Sequence, residues 1–205
     1  MKITSVEKIK NQNGMLAVYI DGEYSFSISE EDYLSMSMYE KTDIDDEEFR
    51  QIKNTLNYRL AKSTAVEYIS FCLRTEAQVR AKLEAGGFSR SVIEKTIEEL
   101  SSLGYLNDKL YAQKYLYDRS KLKPKSKRML KKELKEKGIC ENIVDEVLED
   151  WNVDDNIVAE GLVRKKFGKY DLSSDKIIRR VYLFLRHRGY SDEVIGDVIR
   201  KISGE

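Results

Sequence analysis

Proline is nearly missing from this chain: a single one, Pro124, stands among 205 residues. Without helix breakers the sequence is free to be helical over most of its length, and a proline-rich linker is excluded. Cysteine occurs twice, at Cys72 and Cys140, and histidine once, at His187. Two isolated thiols make no disulfide framework, so a reducing, cytoplasmic compartment is expected. Both lie in helical patterns and read as small core residues rather than ligands. His187 has no cysteine or carboxylate at ligand spacing, so neither metal nor cofactor is expected. No apolar run reaches bilayer-crossing length, and the first residues lack a signal peptide's apolar stretch, so no membrane association is expected. Net charge is zero, from 36 basic and 36 acidic residues, so any hold on a polyanion must come from local sorting of charge.

What the chain does have is repetition. A shift of 51 residues carries Gly138 back onto Gly87 and forward onto Gly189. The same shift aligns Leu130 with Val79 and Val181, and Leu134 with Leu83 and Leu185. Ile139, Ile143, Val144, Val147, Leu148 and Trp151 also fall on apolar residues on both sides, except that Val147 meets Thr96. A register held this long marks an internal repeat. Each unit reads as a helix with an apolar pair four apart, a glycine stop with an apolar residue folding back, and a second amphipathic helix. Ser89 and Ser191 sit where an N-cap is wanted, and Cys140 takes the equivalent place as a poorer cap.

Each unit also owns a preceding helix. Asp108, Ala112 and Tyr115 match Asp155, Ala159 and Leu162, and Ala65 with Tyr68 repeats the pair. An alanine facing a large apolar residue one turn on suits close helix approach. The distance from this alanine to the glycine grows along the chain, from 22 to 26 to 30 residues, which predicts a lengthening linker. Residues 104–108, Gly-Tyr-Leu-Asn-Asp, end one helix and cap the next. Ahead of the units, residues 3–28 alternate as strands around turns at Asn13-Gly14 and Asp21-Gly22, predicting a three-stranded meander. The acidic stretch that follows, with Ser29, Asp43 and Asp45 as cap candidates, reads as helix N-termini rather than a catalytic cluster. The expected fold is mostly α: three tandem three-helix repeats in an elongated curved array behind a small β-meander. The expected divisions are 1–60, 61–107, 108–153 and 154–205.

Charge is sorted along this array. Residues 119–137 hold ten basic side chains against two acidic ones, residues 141–155 hold seven acidic and no basic ones, and residues 164–188 are basic again. Balance between neighbouring helix faces would explain such runs, but basic linkers recur at one structural position in two units. The candidate partner- or nucleic-acid-binding residues are therefore Lys121, Lys123, Lys125, Lys127, Arg128, Lys131 and Lys132 in the second unit. In the third they are Arg164, Lys165, Lys166, Arg179 and Arg180. Tyr111, Tyr115 and Tyr117 lie beside this stretch and could stack on bases, although Tyr111 and Tyr115, four apart, read better as core. No phosphate-cradling glycine loop and no base poised beside a nucleophile is found. This is a binding protein rather than an enzyme.

The triplicated units, with Gly104-Tyr105-Leu106-Asn107-Asp108 followed by Ala112, and Glu133-Leu134 followed by Lys137-Gly138-Ile139, resemble the RecX family of recombinase regulators. The likeness runs from about residue 60 to the end, and the hairpin extension resembles that of members with longer amino termini. The family commonly has a Gly-Pro pair before the second helix of its middle repeat, where this chain has Ser126-Lys127. The resemblance implies a cytoplasmic bacterial modulator, usually an inhibitor, of the RecA recombinase, lying in the groove of the RecA–DNA filament and suppressing ATP hydrolysis and strand exchange. A monomer is expected, touching DNA weakly through phosphates without reading bases. A direct DNA binder of helix-turn-helix type is the alternative, since three-helix units are its usual vehicle. A hydrolase using the acids between Asp43 and Glu48 is a remote third.

Overall fold

In the computed structural model, residues 1–10 and 14–203 are described. The chain opens with an antiparallel sheet of β1 (Ile3–Lys8), β2 (Met15–Ile20) and β3 (Glu23–Ser29), in that order. Asp21 and Gly22 both take positive φ, 51° and 88°, the two-residue turn whose twist matches that of the strands it joins. Asn13 of the other expected turn lies outside the described residues. One sheet face, with Leu16, Val18, Ile20, Phe26 and Ile28, closes on Met38, Ile44 and Ile52. A meander this small is marginal alone, and here helix α2 (Asp46–Ser70) supplies Ile52 and Phe49 to cover it.

The acidic run caps helices. Ser29 accepts the Asp32 N–H at 3.0 Å at the start of α1 (Glu30–Ser35), and Asp45 accepts the Glu48 N–H at 2.7 Å at the start of α2. The carboxylates of both first turns face the positive end of their helix.

Nine helices then form three triplets among the described residues: α2, α3 (Glu76–Ala85) and α4 (Arg90–Ser102); α5 (Asp108–Leu122), α6 (Lys127–Glu136) and α7 (Glu141–Asp150); and α8 (Asp155–Phe167), α9 (Asp175–Arg186) and α10 (Asp192–Ser203). Each triplet encloses its own core. Ala65, Ala112 and Ala159 are fully buried, as are Leu83, Leu134 and Leu185. Burying one such leucine contributes about 1.5–3 kcal/mol. Thr96, the one polar residue at a core position of the repeat, is also buried; its hydroxyl bonds back to the Val92 carbonyl at 2.8 Å, which removes the cost of burial. Helix α2 serves two cores, covering the sheet with its first half and placing Ala61 and Ala65 in the first triplet with its second.

The three stops are the same structure. Gly87, Gly138 and Gly189 have φ of 77°, 82° and 84°. After each, an apolar residue sends its N–H back to the leucine carbonyl: Phe88 to Leu83, Ile139 to Leu134 and Tyr190 to Leu185, each at 3.3 Å. This is the paired bonding of a Schellman stop, and only glycine takes the left-handed residue without strain.

Two expectations are corrected. The extra residues before α6 do not lengthen a linker: α5 runs to Leu122, a turn further past its alanine than α2 runs past Ala65, and the loop widens only before α9. Cys72 and Cys140 are exposed rather than in the core, because one follows the end of α2 and the other is the N-cap of α7. Ser89 occupies its N-cap but makes no cap bond, its hydroxyl pairing with that of Ser91 at 3.2 Å, whereas Ser191 accepts the Val194 N–H at 3.3 Å.

Candidate polyanion and partner interface

The basic helices α6 and α9 are held by joints between triplets, and the two joints share a plan. At the first, the buried N-cap Thr75 of α3 donates its hydroxyl to the Lys137 carbonyl, at the end of α6, at 2.8 Å. At the second, the buried N-cap Ser126 of α6 donates its N–H to the Arg188 carbonyl, beyond the end of α9, at 3.1 Å. The first amide of the helix is capped across the joint as well. Glu76 N–H donates to Asp108 at 2.9 Å, and Lys127 N–H donates to Asp155 at 3.1 Å. These amides lack partners within their own helix, so a carboxylate there meets both an unsatisfied donor and the positive helix end. Burial pushes the Asp108 and Asp155 carboxyls above the usual aspartate range, against the pull of those backbone N–H groups. A β-carbon on Gly138 would overlap that of Ala77, and one on Gly189 would meet Met129 Cβ at 2.7 Å and Ser126 Oγ at 2.8 Å. Around Gly87, which no triplet precedes, the same space is open.

Leu130 and Leu134 anchor one side of α6 in the core, which leaves Arg128, Lys132 and Lys135 exposed on the other. The shift of 51 residues carries Arg128 onto Arg179 and Lys135 onto Arg186 of α9, both exposed; in α3 it finds Ala77 and Glu84. The second and third triplets thus share a basic helix face that the first lacks. Arg128, Lys131, Lys132, Lys135 and Glu136 line a shallow groove along α6.

The candidate basic residues divide by what holds them. Lys121, Lys123, Lys127, Arg128, Lys165 and Arg179 have no ion-pair partner among the described residues; all but the half-buried Lys127 are exposed, and Lys121 lies 5.6 Å from the Tyr117 ring. Lys132 is exposed and only loosely paired, 3.7 Å from Glu136. Lys166 sits 4.2 Å over the Phe184 ring and Arg180 5.6 Å over Tyr170. Three are engaged by acids of their own triplet. Lys131 reaches Asp145 at 2.5 Å and Glu141 at 3.4 Å, Lys125 pairs with Glu133, and Arg164 pairs with Glu160 at 2.8 Å.

Sequence reasoning missed Glu133 as a node. It accepts from Lys125 and from the Tyr115 hydroxyl at 2.8 Å, with Arg119 at 3.4 Å. Burial alone would raise this carboxyl; bonds from Lys125 and Tyr115 and the charge of Arg119 outweigh it and hold it below the usual glutamate range. The hydrogen bonds of Lys135 and Lys131 likewise lower Glu141. Tyr111 and Tyr115 stack on each other at 6.3 Å against the second core, while Tyr117 points into solvent. The roles of Asp108 and Asp155 were also missed, because their partners lie in the preceding triplet, 32 and 28 residues away. The spacing that aligns these two aspartates was the one available signal. Among the described residues no three His, Cys, Asp or Glu side chains converge as a metal would require, and no helix is long and apolar enough to cross a membrane.

An exposed, repeated cationic face on which Arg128 and Arg179 have no carboxylate partner among the described residues can bind phosphates or carboxylates. Family models match in chain order: the N-terminal domain of regulatory protein RecX over residues 1–45, the first RecX three-helix domain over 61–100 and the second over 107–148. The chain is 32% identical to the regulatory protein RecX of Clostridium acetobutylicum, covering 99% of this chain and 97% of the relative. It is 31% identical to that of Clostridium beijerinckii, covering 98% and 95%. A crystal structure of regulatory protein RecX superposes with a TM-score of 0.70 at 23% identity, covering 99% of this chain and 98% of the other. A RecX structure from Lactobacillus salivarius gives 0.65 at 25% identity over 74% of this chain. On sequence along its whole length, and on fold, the chain belongs to the RecX family of regulatory proteins.

Proposed function

We propose that this protein is a non-catalytic inhibitor of the RecA recombinase, acting as a monomer in the bacterial cytoplasm. It lies in the groove of the RecA–DNA filament and suppresses ATP hydrolysis and strand exchange. The observation that carries the reading is the basic face repeated on α6 and α9, with Arg128 and Arg179 at equivalent positions and no carboxylate partner for either among the described residues. A filament repeats, and tandem units presenting equivalent cations suit a repeating partner. DNA is touched through phosphates alone, so binding weakens steeply with salt.

A direct duplex binder is the second reading, favoured by the exposure of the same arginines. A titration of RecA ATPase with this protein at several salt concentrations, beside a duplex-binding assay without RecA, separates the two. Inhibition that fades as salt rises, with weak and nonselective duplex binding, supports the filament reading. Tight, sequence-selective duplex binding with RecA turnover untouched would replace it with the second.

A further inference from the structure

Each joint is completed by the triplet that follows it. The first amides of α3 and α6 find no acceptor in their own triplet and take one from the first helix of the next, Asp108 for α3 and Asp155 for α6. The N-cap residue beside each amide is buried and bonds the carbonyl that closes the next triplet's second helix. Two hydrogen bonds to two different helices, with a glycine packed between them, restrict rotation about either bond alone. At the second joint both bonds converge on the start of α6: one comes from α8, the other from the end of α9. The basic faces carrying Arg128 and Arg179 are therefore coupled through backbone groups rather than through long side chains. Half-burying a carboxylate for this purpose is costly, since an aspartate at a surface cap would be better solvated.

We propose that Asp155, with Asp108 as its counterpart at the first joint, is a positioning residue: by capping α6 from α8 it fixes the register between the basic faces of α6 and α9, so that one repeating partner engages both at once. The inference rests on the filament reading above for its consequence in binding, but not for the joint itself. Two faces held in register bind with an effective concentration that independent faces lack. Asp155 touches no partner in this scheme and acts only through the placement of Arg128 and Arg179.

The test compares Asp155→Ala, Asp155→Asn and Asp108→Ala with the unaltered full chain. The first readout is amide hydrogen exchange at Lys127 and Glu76; the second is binding to RecA assembled on single-stranded DNA. Asp155→Ala is expected to speed exchange at Lys127 and to weaken binding by about tenfold through lost avidity. Asp155→Asn is expected to restore both, because its amide oxygen accepts the same N–H. Asp108→Ala is expected to speed exchange at Glu76, and it keeps the joint testable if Asp155→Ala fails to fold. Unchanged exchange in the alanine variants, or no rescue by asparagine, overturns the joint. Faster exchange with unchanged binding overturns the positioning role while leaving the basic surface intact. Binding indifferent to Arg128→Glu and Arg179→Glu would instead sink the filament reading, and exchange would still decide the joint.

Discussion

The first triplet and the two that follow share a skeleton and differ in what they show to solvent. Leu83, Leu134 and Leu185 are equally buried, and the three glycine stops are alike in φ and in bonding. On the exposed side α3 carries Glu84 where α6 carries Lys135, and the place of the exposed Arg128 is taken in α3 by Ala77, which packs against Gly138. The first triplet also has no triplet before it, so Gly87 faces open space where Gly138 and Gly189 are packed against a neighbour. Core and stops follow from the packing of three helices and cannot drift far. The surface is free to drift unless something binds it, and a basic face present in the second and third triplets but not in the first points to where a partner would lie.

The glycines give the largest way to break this comparison. Gly87→Ala meets only left-handed strain, about 1–2 kcal/mol. Gly138→Ala and Gly189→Ala add overlap with the preceding triplet, roughly 1–3 kcal/mol more. Chemical denaturation should therefore rank Gly87→Ala well above the other two in stability. Equal losses at all three would mean that the joints are looser than the close approach of Ala77 and Met129 implies.

A smaller effect contrasts joints with basic faces by pH. Asp108 and Asp155 are raised by burial, so their contribution is present at low pH and lost as pH rises through their elevated values. Glu133 is held low, so its contribution is present above the ordinary glutamate value and lost as pH falls through the lowered one. Carboxyl titration by NMR should show Asp108 and Asp155 protonating before an ordinary aspartate as acid is added, and Glu133 after an ordinary glutamate. The reverse order would remove the burial assigned to the joints.

Much of the architecture was legible because a helical repeat writes its core at a fixed spacing. The 51-residue register located every stop, and the alanines located the first helix of each triplet. Asp21-Gly22 gave its hairpin by turn chemistry alone. Spacing does not say whether added residues extend a helix or a loop, so the longer α5 was read as a longer linker. Nor does a helical pattern say how near its end a residue lies, which misplaced Cys72 and Cys140 in the core. At the candidate site, charge runs could be counted but not resolved into engaged and free. Lys131 and Arg128 are three residues apart, yet only Lys131 reaches acids of α7. The joints were illegible because their hydrogen bonds link triplets, and no local pattern records a partner so distant in sequence.

The most direct test of the basic-face assignment is inhibition of RecA ATPase by a folded Arg128→Glu, Arg179→Glu variant, with Glu84→Lys in the first triplet as control. The paired reversal should lower inhibitory potency by about tenfold or more, as loss of close charge pairs does, and Glu84→Lys should leave it unchanged or stronger. Full inhibition by the paired variant, at every salt concentration where the unaltered protein inhibits, would contradict the assignment of the partner surface to α6 and α9.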